Sequence, residues 1–468
     1  MADPRPDREP LLAQLRSVVG AAHVLTDADL MAPFAVDWTR RFTGPCRAVV
    51  RPGSTAEVSA VLSACAAHGV PVVPQGGNTG LVGGGVPGPV GPRGPDGALP
   101  IVLSTRRLSW LDPVDDLSGQ VSVGAGVTLG DLQRFAAQAG WEYGVDLAAR
   151  DSATVGGTVA TNAGGIHVID HGMTRSQLVG IDVVLADGRI VRHMSGLIKD
   201  NTGYDLAGLM CGSEGTLGVI TAVRLQLRRP PGPTSVALVG VDDFAAALAL
   251  LACARERGRV RAAEAMDAPS MDLVVSSTGL PWPLARRHGV VVLLEVVDGG
   301  DASGLPLTED DDAVIGLAPA EQARLWLYRE RQTEAYAGLG IVHKLDVAVP
   351  LAELAAFEAD LRSRITADPD VSRYGVFGHL ADGNLHVQVV GPGADDPRVD
   401  REVFACVAEF SGSISAEHGI GRAKVAELTR CRSREAIAAM RAIKDALDPQ
   451  GILNPGVLLA ASDGRSGP

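Results

Sequence analysis

The sequence predicts an α+β protein of more than one domain, and three observations carry that prediction. The chain has 468 residues, 46% of them hydrophobic, enough for two or three domains with a large core. Short runs rich in Val, Ile and Leu alternate with amphipathic or Ala-rich helical stretches. A Pro-rich joint, Arg229-Pro230-Pro231-Gly232-Pro233, interrupts this alternation, so a new domain is expected from about Thr234.

Bulk composition narrows the function. With 21% charged residues and 56 Gly, the chain is globular and loop-rich rather than disordered. A net charge of -13 and no clustered basic run argue against nucleic acid and anionic membrane as partners. Six cysteines (Cys46, Cys65, Cys211, Cys253, Cys406 and Cys431) are scattered without a C-x-x-C pair and read as reduced thiols of a cytoplasmic protein. Met1 to Pro10 lacks an apolar signal region and reads as a short tail, and no apolar run is long enough to span a membrane.

Taken in order, Leu11 to Val19 is an amphipathic helix and Ala48-Val49-Val50 a strand ended by Pro52. Ser54 and Glu57 form a capping-box pattern opening a helix through Val58, Val61, Leu62 and Cys65. The strand Val70 to Val73 then runs into Pro74-Gln75-Gly76-Gly77-Asn78-Thr79-Gly80-Leu81-Val82-Gly83-Gly84-Gly85. Glycines let backbone approach a ligand closely, successive N–H groups form a concave anion site, and Asn78 and Thr79 add short donors. This reads as a cradle for a pyrophosphate or similar polyanion, although such a turn also occurs with no ligand. Gly83 to Gly88 fits G-x-G-x-x-G, but Pro87, Pro89 and Pro92 follow instead of a helix, and no P-loop pattern occurs. Pro87 to Pro100 is expected to be a mobile Pro/Gly insertion.

Ile101 to Ser104 and Gln120 to Val123 read as strands and Asp131 to Ala139 as a helix. A second block of small and polar residues runs from Asp151 to Gly165, and a third from Cys211 to Thr221. Between them, Ile181 to Val191 is a hairpin on an Asp187-Gly188 turn. Thr221 to Leu227 alternates and reads as the last strand before the joint. Beyond it come a strand (Ser235 to Val239), a helix opened by Asp242 and Asp243 (Phe244 to Arg257) and a buried strand (Val290 to Val296). The acidic run Glu309 to Asp312 reads as a solvated loop, and Arg432 to Leu447 as a helix leading into Asp448-Pro449-Gln450-Gly451-Ile452-Leu453-Asn454-Pro455-Gly456.

Tyr374 to Val390 reads as a hairpin. With Asp382-Gly383 at the centre of a two-residue turn, His379 would stand opposite His386, with Cβ atoms roughly 4.5–5.5 Å apart. Two imidazoles so held suit chelation of one metal ion, while two ordinary histidines beside a turn would show the same pattern. Glu417, in Ser413-Ile414-Ser415-Ala416-Glu417-His418-Gly419-Ile420-Gly421, offers a hard oxygen donor. Two His and one Glu make an open, catalytic zinc-type set. In Trp326-Leu327-Tyr328-Arg329-Glu330-Arg331-Gln332-Thr333, Arg329 and Thr333 fall on one helix face, and Lys344 follows in His343-Lys344-Leu345-Asp346-Val347. Arg329 suits a carboxylate bidentately; a surface ion pair with Glu330 or Asp346 is the plainer alternative.

Together these blocks, from about Ala48 to Val457, resemble the vanillyl-alcohol-oxidase-like family of FAD enzymes. The similar branch is that of the D-2-hydroxyglutarate, D-lactate and glycolate dehydrogenases. The resemblance implies a two-part PCMH-type FAD-binding domain at residues 21–230, after a tail and helix at 1–20. It also implies an α+β cap domain with an antiparallel sheet at 231–430, and a segment at 431–468 packing back on the FAD domain. FAD would contact Pro74, Gln75, Gly76, Gly77, Asn78, Thr79, Gly80 and Leu81, then Ser104, then Ser152, Thr154, Gly156, Gly157, Thr161, Asn162, Gly164 and Gly165, then Glu214, Gly215 and Ile220, and finally Asn454. Members that attach FAD covalently here carry a His after the paired glycines; Asn78 in its place implies non-covalent FAD. The G-H-x-x-D-G-N-L-H and S-x-E-H-G-I-G blocks imply His379, His386 and Glu417 as ligands of a divalent metal, Zn²⁺ or else Mn²⁺ or Co²⁺, with His418 as base and substrate contact. Arg329, Thr333, Lys344 and Gln388 would complete the substrate site. Ala381 replaces a usual Gly, and Gln388 a usual Asn, which leaves the substrate's identity open.

The implied reaction is oxidation of a D-2-hydroxy acid to the 2-oxo acid with hydride transfer to flavin N5. D-2-hydroxyglutarate is the first expectation, with D-lactate, D-malate and glycolate, or an O₂-using oxidase of another alcohol, as alternatives. An electron-transfer flavoprotein or quinone is the expected acceptor, and a homodimer the expected assembly.

Overall fold

A computed structural model of the chain describes residues 10–88, 99–394 and 396–460. Most of the expected N-terminal tail and most of the Pro/Gly insertion lie outside the described residues. The chain divides into two units: Met1–Gly165, Gly172–Arg229 and Glu417–Pro468 form the first, and Ile166–His171 with Pro230–Ala416 the second. The second unit therefore ends at Ala416, not near residue 430, and it takes in a six-residue stretch from inside the expected FAD domain.

The first unit is built on two four-stranded sheets. In one, β1 (Val24–Leu25), β2 (Ala48–Val50), β3 (Val72–Gln75) and β4 (Ile101–Ser104) lie in the order β1-β2-β4-β3. Both neighbours of β4 run parallel to it. The helix Thr55–Ala67 makes the crossover from β2 to β3, as parallel pairing requires. It starts where expected, because Ser54 Oγ accepts the Glu57 N–H at 3.1 Å. The other sheet holds β5 (Gln120–Gly124), β6 (Leu178–Val184), β7 (Ile190–His193) and β8 (Val219–Gln226), antiparallel in the order β5-β8-β6-β7. The same helix is anchored toward this sheet: Ser59 Oγ donates to Gly188 O at 2.6 Å and Thr55 Oγ1 to Thr221 Oγ1 at 3.0 Å. One apolar core runs through both sheets, including Leu62, Ile101, Leu129, Ile181 and Val223.

The C-terminal segment extends the first sheet. Val72 donates to Ile452 O and Asn454 to Val72 O, both at 2.8 Å. Lys444, on the helix Arg434–Leu447, caps this return through Thr216 O (2.8 Å) and Leu453 O (2.9 Å). Its buried amine has its pKa pushed down by burial, against an ion pair with Asp448.

The second unit is a seven-stranded antiparallel sheet. Its strands are β9 (Thr234–Val241), β10 (Arg259–Asp267), β11 (Val290–Val297), β12 (Ala313–Gly316), β13 (Val342–Ala348), β14 (Arg373–His379) and β15 (Asn384–Val390), ordered β12-β9-β11-β10-β14-β15-β13. The sequence reading passed over β10, whose Ala-Ala-Glu-Ala-Met stretch suits a helix by propensity; pairing on both edges overrides that preference. Helices Ala268–Thr278, Pro319–Glu330 and Gln332–Ala337 supply Met271, Trp326 and Tyr336 to a core with Ala262, Met266 and Phe377. That core defines one face of the sheet, and the same face continues into the candidate site.

Candidate active site

In the first unit the three glycine-rich blocks and the C-terminal Asn454 come together. A Cβ on Gly77 would lie 2.0 Å from Ser152 O, and one on Gly76 2.3 Å from Thr154 Oγ1. Glycine is required at both for the first block to lie against the second. Glu214 N donates to Ala160 O at 2.8 Å, joining the third block to the second. Asn454 Nδ2 donates to Gly84 O and Glu214 O, at 2.8 and 2.7 Å, joining the return segment to the first and third. Asn78, Asn162, Glu214 and Asn454 all adopt positive φ, between 41° and 58°. Asn is among the few non-glycine residues that enter this region readily; Glu214 is not, and it is held there by the N–H groups of Ile420 and Gly421, each at 2.8 Å from its carboxylate. Burial pushes the Glu214 carboxyl pKa up against those two bonds.

The side chains of this cradle divide between building it and lining it. Gln75 closes the first loop by donating to Phe34 O (3.0 Å) and Gly85 O (2.7 Å), and Asn78 donates to Val36 O at 2.8 Å. Thr154 caps the helix Val155–Thr161, and Asn162 Oδ1 takes the Arg175 N–H at 2.9 Å. Arg106 is a cradle-building residue that sequence reasoning missed. Its guanidinium donates to Gly76 O (3.3 Å) and Gly77 O (2.9 Å). A trans peptide points C=O and N–H in opposite directions, so Arg106 turns the Gly77 and Asn78 N–H groups the other way, ready for an anion. The sequence signal is a pair of arginines one residue beyond a strand end. A cavity of about 640 Å³ lined by Arg106, Thr128, Ser152 and Thr154 adjoins the cradle. Ser104 Oγ and Asn454 Oδ1 are buried without a hydrogen-bond partner among the described residues. Orphaned buried polar atoms, glycine walls and oriented N–H groups are what a bound dinucleotide such as FAD would satisfy.

The second unit carries the histidines. The hairpin register differs from the expected one: Phe377, not His379, stands opposite His386, and His379 stands opposite Asn384. Four residues, Leu380 to Gly383, make the connection. The loop is pinned on both sides, by Leu380 N–H to Ala263 O (2.8 Å) and Val349 N–H to Gly383 O (3.1 Å). The two-residue shift keeps parity, so both histidines still share a face, now as diagonal neighbours with ring centroids 5.4 Å apart and planes at 78°.

That face gathers more than the histidines. Glu264 stands opposite His379, Asp346 opposite His386, and Lys344 opposite Gln388. Alternation puts all six on one side of the sheet, with Phe377 among them. The buried Glu264 carboxylate accepts from His379 Nδ1 at 2.6 Å and from Arg329 Nε at 2.5 Å. Burial alone would raise its pKa, but the charges and hydrogen bonds of His379 and Arg329 outweigh it and bring it down to about 2. Asp346 lies 3.5 Å from His386 Nδ1 and accepts from Asn384 Nδ2 at 2.8 Å. Lys344 is half-buried, burial lowers its pKa, and no carboxylate pairs with it among the described residues. Gln388 is buried, and its Oε1 has no hydrogen-bond partner among the described residues.

Other expected substrate residues are placed differently. Arg329 pairs with neither Glu330 nor Asp346: it is buried, bonded to Glu264, with its guanidinium 4.9 Å from the Phe377 ring centroid. The helix carrying it ends at Glu330, and Thr333 is exposed on the next helix, Gln332–Ala337, so the two do not share the expected face. Glu417 and His418 belong to the first unit, directly after Ala416, the last residue of the second. There Glu417 Oε1 accepts the Gly165 N–H at 2.6 Å.

Comparison with known proteins agrees with this architecture. A model described as "FAD binding domain" matches residues 46–193, and one described as "FAD linked oxidases, C-terminal domain" matches residues 231–458. The mitochondrial D-2-hydroxyglutarate dehydrogenase of Bos taurus is 38% identical over 464 residues, covering 95% of this chain and 82% of that protein. The D-2-hydroxyglutarate dehydrogenase of Xanthomonas citri pv. viticola is 36% identical over 474 residues, covering 97% of this chain and 98% of that one. The crystal structure of p-cresol methylhydroxylase with substrate bound shares the fold, with a TM-score of 0.72 at 15% identity and 99% of each chain covered.

Proposed function

We infer the activity from one premise: the chain belongs to the family of FAD-linked oxidases that includes the D-2-hydroxyglutarate dehydrogenases, and it is an FAD-dependent oxidoreductase acting on CH–OH groups. We propose that it oxidises D-2-hydroxyglutarate to the 2-oxo acid. The observation that carries this reading is the polar face of the second unit's sheet. Two histidines backed by carboxylates lie beside a half-buried lysine and a buried amide oxygen that have, among the described residues, no carboxylate partner and no hydrogen-bond donor respectively. A small anion with a hydroxyl group matches that set.

His379, His386 and Glu417 are the residues proposed to hold a divalent metal, Zn²⁺ by the two imidazoles and the open three-ligand set. The bound ion would lower the pKa of a coordinated substrate hydroxyl. Lys344 binds a substrate carboxylate, and its charge-assisted hydrogen bond orients C2. Arg329 contributes whatever donors its bond to Glu264 leaves, and Gln388 contacts the substrate near His386. His418 takes the hydroxyl proton as general base. The first unit's cradle would hold FAD, which when bound would supply the hydride acceptor for the C2 hydrogen. Removing one proton and one hydride from the CH–OH group leaves the ketone, so the step balances. The electrons leave to an acceptor such as an electron-transfer flavoprotein or a quinone.

Dye-linked turnover of the two enantiomers tests this reading. The D form of 2-hydroxyglutarate should be converted stoichiometrically to 2-oxoglutarate and the L form left untouched. Flavin-loaded protein that turns over no D-2-hydroxy acid would sink the proposal.

A further inference from the structure

Glu264 was not singled out by any sequence motif, yet it is as deeply buried as any charge on the candidate face, at 1% exposure, equal to Asp346. Each of its oxygens takes one donor: Oε1 from His379 Nδ1 and Oε2 from Arg329 Nε. We propose that Glu264 is a positioning residue that selects the tautomer of His379 and, through the same carboxylate, ties that histidine to Arg329. The proposal rests on the reading of His379 as a metal ligand.

The argument is one of donor and acceptor counting. An ionised carboxylate only accepts, and an arginine Nε–H only donates. With Oε1 facing Nδ1, the imidazole must carry its proton on Nδ1, which leaves the Nε2 lone pair for a metal. The strand register enforces this, because Glu264 and His379 are directly opposed in β10 and β14. The other oxygen is committed to Arg329, so the two groups are oriented as one unit. Asp346 stands behind His386 Nδ1 in the same relation, at 3.5 Å, but there the contact is long and Asn384 also holds the carboxylate.

Glu264→Gln changes this count without changing size. A glutamine offers one acceptor and one NH₂ to two donors. If its oxygen faces Arg329, its NH₂ faces His379 Nδ1 and drives the proton to Nε2, the nitrogen the metal needs. If it turns the other way, two buried donors meet at Arg329. Either outcome weakens the metal site, whereas Glu264→Asp keeps an acceptor-only group with shorter reach.

The test uses full-length, flavin-loaded protein. Zn²⁺ loss to a chelating dye is followed in the wild type, Glu264→Gln and Glu264→Asp, alongside flavin content, melting temperature and the visible spectrum of the Co²⁺-substituted forms. The expected result is a Zn²⁺ affinity roughly 10–100-fold weaker in Glu264→Gln, an intermediate loss in Glu264→Asp, a changed Co²⁺ spectrum, and flavin content equal to wild type. Wild-type Zn²⁺ affinity in Glu264→Gln would overturn the role of Glu264 and leave the metal reading standing. A wild-type protein that takes up no stoichiometric Zn²⁺ or Co²⁺ overturns both. Loss of flavin and of the melting transition in both variants would show Glu264 to be a structural ion-pair partner only.

Discussion

Lys344 carries the sharpest prediction about a single side chain. Its ammonium is half-buried on β13 opposite Gln388, and burial holds its pKa below 10.5. Losing one charge-assisted hydrogen bond to a substrate carboxylate costs about 1.5–3 kcal/mol, so Lys344→Met should lower kcat/KM roughly tenfold to a hundredfold. The wild-type pH profile should fall on its alkaline side below 10.5 as the amine loses its charge, and that limb should be absent in Lys344→Met. For folding the sign is opposite. The unfolded chain binds the proton more tightly between the two pKa values, so this lysine's burial cost is relieved as pH rises through that window. An unchanged kcat/KM in the variant would remove Lys344 from the substrate site. His379, His386, Lys344 and Gln388 were singled out by motif or by resemblance, and the structure places all four on one face of the sheet. Glu264 and Arg106 were not legible in the sequence, because each acts through a partner far away in the chain: Glu264 through Arg329 and His379, Arg106 through backbone oxygens of Gly76 and Gly77.

At the level of strands and loops, the sequence located most elements but not their pairing. The helix Phe244–Arg257 and the strand Ile101–Ser104 appear with the expected bounds, since local periodicity and caps determine them. The hairpin register did not follow from its Asp-Gly turn. Hydrogen bonds from Leu380 to Ala263 and from Val349 to Gly383 decide it, and both are long-range contacts that no local pattern contains. The histidines stayed on one face only because the shift is an even number of residues. The glycine cradle is likewise a long-range arrangement, and it can be tested at Gly77. A methyl group there would press on Ser152 O, and relieving such overpacking costs about 1–3 kcal/mol. Gly77→Ala should therefore weaken FAD binding roughly tenfold to a hundredfold in titrations of apoprotein. Gly393→Ala, where an added Cβ meets nothing within 4 Å, should bind FAD as the wild type does. Equal affinities in the two variants would mean that Gly77 does not shape the cradle.

For the molecule as a whole, the main segment of the second unit begins at Pro230, inside the Pro-rich joint after which a new domain was expected, because a composition break is visible in sequence. Its end at Ala416 was not visible. Ser413 still pairs with Ala348 in the second unit, whereas Ile420 and Gly421 are bonded to Glu214 in the first. The change of allegiance falls within Ser413-Ile414-Ser415-Ala416-Glu417-His418-Gly419-Ile420-Gly421, where no composition break marks it. The chain's charge of -13 does nothing to attract an acidic substrate, so recognition depends on local groups such as Lys344. No helix among the described residues is long and apolar enough to cross a membrane. The most direct measurement is anaerobic bleaching of the bound flavin by D-2-hydroxyglutarate, D-lactate and D-malate in turn, with and without prior chelator treatment. D-2-hydroxyglutarate should bleach the visible flavin bands fastest, and chelator-treated protein should bleach far more slowly until Zn²⁺ is restored. A flavin spectrum that no D-2-hydroxy acid bleaches would contradict the proposed substrate class, and bleaching indifferent to chelator would contradict the metal-assisted site.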